Sequence, residues 1–203
     1  MTKIQANDIC PLGQDLQHYW DRLSDREKSM KLDEEGLYSL ALESVALEIA
    51  QRTPGDLILD AFCGLGGSAI GFGRAGKIVV AIEKDQSRLE MAKYNAALFD
   101  VSGQIEFING DSLELLTILK ADTIFLDPPW GGVDYNKREK FQLTDFEPDG
   151  TALLELAFSI TDLVVIRLPK NFDFSQLESF GRKYELESNT LDRKLLHYCA
   201  YFR

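Results

Sequence analysis

The residues with the most distinctive chemistry are Asp127-Pro128-Pro129-Trp130, which directly follow the apolar run at 123–126. The two prolines fix φ and remove two backbone N–H donors, so nearby carbonyl groups are free to accept hydrogen bonds from a ligand. The Asp127 carboxylate can accept as well, and the Trp130 indole offers a flat surface for stacking. This combination suits an exocyclic amino group on a planar ring. It predicts methyl transfer to a nucleobase nitrogen, provided that the chain also holds a methyl donor.

A donor site is predicted at the glycine-rich turn 59–67. Glycine lets the backbone turn tightly and approach a ligand closely. Dinucleotide-binding folds use similar turns, but their G-x-G-x-x-G spacing is not kept here. A carboxylate at the head of the turn, Asp60, would bind the cationic amino-acid part of S-adenosylmethionine, directly or through water, and would repel a pyrophosphate. The predicted cofactor-binding residues of the turn are Asp60, Cys63, Gly64 and Gly66.

Two more carboxylates follow the next predicted strands. Glu83 is placed to accept hydrogen bonds from both ribose hydroxyls of a nucleoside, and its alternative is a surface residue that caps the next helix. Asp111 is placed where an adenine amino group would lie, and its alternative is to cap the helix that starts at Ser112. Asp85 immediately precedes the predicted helix and is expected to be its N-terminal cap.

The elements that position these residues alternate along the chain. Strands are predicted at 56–62, 77–83, 105–108, 122–126 and 163–168, helices at 67–74, 86–99, 112–120, 151–160 and 174–184, and a hairpin at 185–190 and 195–202. This order predicts an α/β fold, a Rossmann-like doubly wound sheet of about seven strands. Residues 1–53 are expected to form a small N-terminal helical extension, or lid, and residues 54–203 the main domain. Ligands of such sheets bind at the carboxyl ends of the strands, where all the candidate residues fall.

Composition limits the class of protein. Of 203 residues, 45% are hydrophobic and 27% are charged, which is ordinary for a soluble globular domain. No membrane span, signal peptide, disulfide framework or metal site is evident, so a cytoplasmic protein without a metal is expected. The net charge of −11 argues against non-specific nucleic-acid binding. A local phosphate site is compatible with the basic residues of the last third, Lys137, Arg138, Lys140, Arg167, Lys170 and Lys194. No role is expected for His18 or His197.

Several segments together resemble the class I S-adenosylmethionine-dependent methyltransferases, and more narrowly the trimethylguanosine synthase (RNA cap guanine-N2 methyltransferase) family. The segments that carry the resemblance are 32–39, 60–67, 95–96, 128–135, 168–171 and 200–202. The block from Pro128 through Gly131-Gly132 to Asp134-Tyr135 is the most specific of them, and the resemblance extends over roughly residues 18–203. It implies a class I methyltransferase fold, S-adenosylmethionine as the cofactor, and RNA or a guanine nucleotide as the partner.

The resemblance also implies roles for individual residues. Trp130 would stack on a 7-methylguanine base, a contact worth roughly 1–3 kcal/mol. Tyr135 and Lys170 would contact the cap phosphates, with help from Lys194, and the segment 33–39 would close over both ligands as a lid. The chain departs from the family at Asp127, where serine is usual, and at Lys170, where arginine is usual. Adenine, guanine in structured RNA and protein glutamine are therefore alternative acceptors.

A mechanism follows for the exocyclic nitrogen of guanine, a poor nucleophile because its lone pair is delocalised into the ring. Asp127 and the carbonyl of Pro128 would accept its two N–H groups, which favours a pyramidal nitrogen. Asp127 would also stabilise the positive charge that develops there. The catalytic residues are expected to be Asp127, Pro128 and Trp130, and most of the rate enhancement is expected to come from alignment.

Overall fold

A seven-stranded mixed sheet forms the centre of the molecule. The computed structural model describes residues 14–132 and 137–203. The strands are β1 (Leu57–Asp60), β2 (Ile78–Glu83), β3 (Ile105–Asn109), β4 (Thr123–Leu126), β5 (Val164–Leu168), β6 (Tyr184–Leu191) and β7 (Lys194–Phe202). Their order is β3-β2-β1-β4-β5-β7-β6, with β1 to β5 parallel and β7 antiparallel to both of its neighbours. The prediction of a doubly wound sheet of about seven strands is confirmed.

Helices cover both faces of the sheet. They are α1 (Gln14–Trp20), α2 (Glu34–Ser39), α3 (Glu43–Arg52), α4 (Gly67–Arg74), α5 (Gln86–Leu98), α6 (Ser112–Leu115), α7 (Gly150–Phe158) and α8 (Ser175–Glu178). Short 3-10 turns occupy Glu27–Ser29 and Leu143–Asp145. None of the helices in the described ranges is long and apolar enough to cross a membrane.

Two helices are shorter than predicted. The helix expected at 112–120 ends at Leu115, and the Thr117 hydroxyl then donates to the Glu114 carbonyl at 2.6 Å, which competes with regular helical bonding. The helix expected at 174–184 ends at Glu178. Gly181 then takes a positive φ of 62°, and Tyr184 already pairs with Phe202 in the sheet. Both corrections come from local hydrogen bonding or strand pairing that helix propensity alone does not include.

The two faces of the sheet bury separate hydrophobic layers. Side chains alternate along each strand, so Ile58 joins one layer and Leu59 the other. The first layer also contains Trp20, Leu32 and Ile49 from the predicted N-terminal extension. The described part of that extension therefore packs into the same core as the sheet.

Two anchors hold the N-terminal segment beside the glycine-rich turn. The buried Asn95 side chain accepts a hydrogen bond from the Lys31 amide at 2.8 Å, and it donates to the carbonyls of Lys31 and Leu65 at 3.1 and 3.0 Å. Asp33 caps α2 by accepting from the Gly36 amide and forms an ion pair with Arg88 at 2.8 Å. These contacts set the position of α2 relative to the turn.

Helices α3 and α4 pack with their backbones in contact at Gly71. A Cβ atom added there would lie 2.7 Å from the backbone carbon and oxygen of Ala46. Glycine is needed at this position because the two helix backbones approach each other closely. A positive φ is not the reason, because Gly71 does not have one.

We expect the substitution Gly71→Ala to lower the free energy of unfolding by about 2 kcal/mol. Alanine is favoured over glycine in a helix by about 1 kcal/mol, but overpacking against backbone costs up to about 3 kcal/mol. Gly103→Ala is the matched control, because a Cβ atom there meets nothing within 4 Å. Urea unfolding of both variants measures the difference, and a Gly71→Ala variant as stable as the wild type would show that the helices can separate at no cost.

Candidate active site

The carboxyl ends of the parallel strands open into one cavity of about 1330 Å³. The predicted site residues on its wall are Cys63, Gly64, Glu83, Asp111, Asp127, Pro128, Trp130, Lys170 and Lys194. Residues from α1, α2 and the β6–β7 hairpin complete the wall. Of the other predicted site residues, Asp60 and Gly66 lie behind the wall, and Tyr135 is outside the described residues. The cavity thus brings together the predicted donor and acceptor residues.

The glycine-rich turn presents open backbone to the cavity at Gly64. This residue has a positive φ of 55°, and a Cβ atom added there would meet nothing within 4 Å. Gly66 has a different role, because it precedes α4 with a φ of 89° and faces Ala92 of α5, which an added Cβ atom would approach to 3.3 Å. Gly64 therefore offers a surface that a ligand can approach closely, whereas Gly66 shapes the turn.

Asp60 is more deeply buried than the sequence suggests. It is the last residue of β1, paired with Ala81 and Phe125 on the two neighbouring strands, and its side chain has no exposed surface. One carboxylate oxygen accepts from the Phe62 amide at 3.4 Å, and the other has no hydrogen-bond partner among the described residues. Burial, with a further contribution from the Asp127 carboxylate, raises the pKa of Asp60 to about 8. Asp60 is thus mostly protonated at neutral pH.

Glu83 connects the end of β2 to the glycine-rich turn. Its carboxylate oxygens accept from the amides of Gly64 at 2.9 Å and Asp85 at 2.8 Å. Burial raises the pKa of Glu83 above its usual value, although these two bonds oppose the shift. Each carboxylate oxygen has a second lone pair, so Glu83 can accept from a ligand while it holds the turn.

The helix-capping predictions are resolved by the hydrogen bonds. Asp85 caps α5 by accepting from the amides of Ser87 and Arg88 at 2.7 and 3.1 Å, as predicted. Asp111 takes the capping role that was its alternative, since it accepts from the Leu113 amide at 2.9 Å. Its second oxygen accepts from the Lys84 ammonium at 2.9 Å, which lowers the pKa of Asp111. Asp111 also lies on the cavity wall, so the capping contact does not remove it from the site.

The acceptor half of the cavity contains an ion pair that sequence reasoning did not identify. Asp127 accepts from Nη1 of Arg167 at 2.6 Å, and both side chains are largely buried. The guanidinium carbon lies over the Trp130 ring, 5.2 Å from its centroid. The signal in the sequence is a single arginine within the apolar strand VVIRL, because a buried arginine needs an anionic partner.

Charged side chains of both signs line the cavity. Glu83 ends β2 and Asp111 caps α6, and the exposed Lys170 and Lys194 lie on the same wall. Carboxylates can bind hydroxyl, amino or cationic groups, and exposed lysines together with an aromatic ring suit a nucleotide with phosphates. The cavity therefore has groups for two ligands of different charge.

Helix α2 reaches both halves of the cavity. Glu35, Tyr38 and Ser39 line the wall. A Cβ atom added to Gly132 would lie 3.5 Å from the Tyr38 hydroxyl, and the Ser39 carbonyl accepts from Arg167 at 3.4 Å. In this structure the N-terminal segment therefore covers the segment that carries Trp130.

Comparison with known proteins gives concordant matches. A family model described as RNA cap guanine-N2 methyltransferase matches residues 55–199. A trimethylguanosine synthase of Schizosaccharomyces pombe is 32% identical over 189 residues, which cover 85% of this chain and 79% of the relative.

Solved structures match at the level of the fold. A putative methyltransferase from Porphyromonas gingivalis matches 92% of this chain and 47% of its own, with a TM-score of 0.74 and 18% identity. A Pyrococcus abyssi tRNA (uracil-54, C5)-methyltransferase in complex with S-adenosyl-L-homocysteine matches 79% of this chain and 37% of its own, with a TM-score of 0.55 and 18% identity. The predicted class I methyltransferase fold is confirmed.

We expect the substitution Asp60→Asn to change how stability depends on pH. An acid whose pKa is raised by folding is protonated in the folded state and ionised in the unfolded state between about pH 4 and pH 8. It therefore makes the wild type lose stability as pH rises through that range, by up to about 1.4 kcal/mol per pH unit. The asparagine variant lacks this loss, so its stability relative to the wild type should increase from pH 5 to pH 8. Urea unfolding at several pH values tests this, and a constant difference would mean that Asp60 is ionised when folded.

Proposed function

Since this chain belongs to the RNA cap guanine-N2 methyltransferase family, we propose that its cavity binds S-adenosylmethionine and a 7-methylguanosine cap-like nucleotide or RNA side by side. The chain is an S-adenosylmethionine-dependent N-methyltransferase acting on guanine N2. The observation that carries the proposed acceptor is that Trp130, Asp127 and two exposed lysines line the same cavity, with Arg167 in contact with both Asp127 and Trp130. A base stacked on the indole would have its amino group near a carboxylate and its phosphates near cations.

The donor half fits S-adenosylmethionine in three respects. Gly64 leaves open backbone where a ligand can approach, Glu83 has lone pairs for ribose hydroxyls, and Asp111 lies on the same wall for the adenine amino group. Asp60 has an unpartnered buried oxygen behind the turn, which suits a contact through water. When bound, S-adenosylmethionine supplies a methyl group on a sulfonium.

The acceptor half fits a capped guanine. Trp130 would stack on the base, with a cation–π contribution because 7-methylguanine is positively charged. Lys170 and Lys194 would bind the phosphates, and Tyr135 belongs to the same proposal although it lies outside the described residues. Lysine lacks the bidentate geometry of arginine, so phosphate recognition at Lys170 depends on charge more than on direction.

The residues of this chain would prepare the acceptor amine. The second oxygen of Asp127 and the carbonyl of Pro128 would accept its N–H groups, which localises the nitrogen lone pair. Asp127 would stabilise the positive charge that develops on nitrogen. A strong base is unnecessary because the ammonium formed is very acidic. Positioning therefore carries most of the catalysis.

A reducing compartment such as the cytoplasm is part of the proposal. Cys63 and Cys199 are free thiols buried in the protein, and burial raises the pKa of both. Buried neutral thiols act as small hydrophobic side chains and depend on no oxidising environment.

The proposed acceptor is tested with labelled S-adenosylmethionine and a panel of 7-methyl-GTP, 7-methyl-GDP, GTP, tRNA, rRNA and protein extract. We expect label on N2 of the 7-methylated nucleotides.

Replacing Trp130 with alanine should lower kcat/KM for 7-methyl-GDP roughly 10- to 100-fold through the loss of stacking, while the Kd of the donor stays unchanged.

The variant Trp130→Phe is the matched control, because it keeps an aromatic surface and should retain most of the activity. Label found only on unmethylated RNA, on adenine or on protein would contradict the proposed acceptor. An equal loss of donor binding in Trp130→Ala would show that the two halves of the cavity are assigned wrongly.

A further inference from the structure

Arg167 is buried in a strand where a positive charge is costly. All five residues of β5 are buried, Arg167 is 8% exposed, and the other four are aliphatic. An isolated guanidinium in such a place is strongly unfavourable unless an anion pairs with it. The position of Arg167 therefore needs an explanation beyond strand packing.

Three contacts join Arg167 to the acceptor end of the cavity. Its Nη1 atom donates to the Asp127 carboxylate at 2.6 Å and to the Ser39 carbonyl at 3.4 Å. Its Cζ atom lies over the Trp130 ring, 5.2 Å from the centroid. All four residues line the cavity. One guanidinium thus contacts Trp130, which is the predicted base platform, Asp127, which is predicted to accept from the amine, and the C-terminal end of α2.

We propose that Arg167 is a positioning residue of the acceptor site, which pairs with one oxygen of Asp127 and leaves the other oxygen for the acceptor amine. The inference rests on the proposed function, since it defines how the acceptor is held. The ion pair also offsets the cost of a largely buried carboxylate at position 127.

The charges around Asp127 make this role measurable. Burial raises the pKa of Asp127, and Arg167 on β5 opposes the rise. Among the described residues, Asp60 on β1 and Cys199 on β7 also interact electrostatically with Asp127, and neither carries a positive charge. Removing Arg167 therefore favours the protonated form of Asp127, which cannot accept from the amine as a carboxylate does.

The test compares the pH dependence of kcat/KM for 7-methyl-GDP in the wild type, Arg167→Gln and Arg167→Lys. In Arg167→Gln we expect the acid limb of the kcat/KM profile to move to higher pH by about one unit or more, and kcat/KM at pH 7 to fall about 100-fold. Arg167→Lys keeps a positive charge, so both changes should be smaller in that variant. Donor Kd from calorimetry should change less than about 3-fold, because the donor half is untouched.

A double-substitution experiment separates positioning from a general structural effect. If Arg167 acts through Asp127, Arg167→Gln combined with Asp127→Asn should lose about as much activity as the more damaging single change. Additive losses, or an unmoved acid limb in a folded Arg167→Gln variant, would overturn the inference. If Arg167→Gln does not fold, the smaller shift expected of Arg167→Lys provides the same test.

Arg182 is the matched control. It donates to Asp162 at 2.6 Å and lies over the Phe158 ring at 4.4 Å, so it has an ion pair and an aromatic contact like those of Arg167, but at a more exposed position off the cavity wall. Arg182→Gln should keep the wild-type activity and pH profile. An equal shift in this variant would overturn the inference, because it would show a global effect.

If the proposed function is wrong, the wild type will transfer no methyl group to any guanine nucleotide, and this outcome is separate from the test of Arg167. The ion pair is then tested without turnover, by carbon-13 NMR titration of the Asp127 carboxyl, whose signal is identified by its loss in Asp127→Asn. An upward shift of the Asp127 pKa in Arg167→Gln supports the role of Arg167. An unchanged pKa overturns it.

Discussion

The structure depends on how it accommodates several carboxylates at one edge of a parallel sheet. Asp60 pairs in register with Ala81 and Phe125, and Glu83 and Asp127 follow two residues further along those neighbouring strands. Parallel strands thus bring three acids to one edge of the sheet, where Asp60 is fully buried and Glu83 and Asp127 are partly buried. Like charges at such a site repel one another and are costly to bury.

Each acid is stabilised in a different way. Burial raises the pKa of Asp60 to about 8, which favours its neutral form, Glu83 accepts from two backbone amides, and Asp127 pairs with Arg167. The cavity that results has acceptors for hydroxyl and amino groups at one end and a neutralised carboxylate beside an aromatic ring at the other. The N-terminal segment encloses this edge, because Asn95 and the Asp33–Arg88 pair hold α2 against it.

The sequence predicts the sheet well because alternating strands and helices leave few arrangements of parallel strands. It also identifies Asp85 as a cap. The family resemblance, rather than the strand pattern, suggests Lys170 and Lys194, and both line the same cavity as Trp130. The Asp127–Arg167 pair could not be predicted in this way. It joins residues 40 positions apart and depends on β4 lying next to β5 and on the rotamers of both side chains. The depth of Asp60 likewise depends on strands on both sides of β1, which the local sequence does not specify.

The guanine base is proposed to stack on Trp130, within the cavity that also holds the donor. The most direct measurement is a crystal structure of the protein with S-adenosylhomocysteine and 7-methyl-GDP. It should show the guanine ring stacked on the indole, with N2 within hydrogen-bonding distance of Asp127 and the Pro128 carbonyl, and the phosphates near Lys170 and Lys194. A base bound away from Trp130, or a nucleotide whose N2 points away from Asp127, would contradict the account.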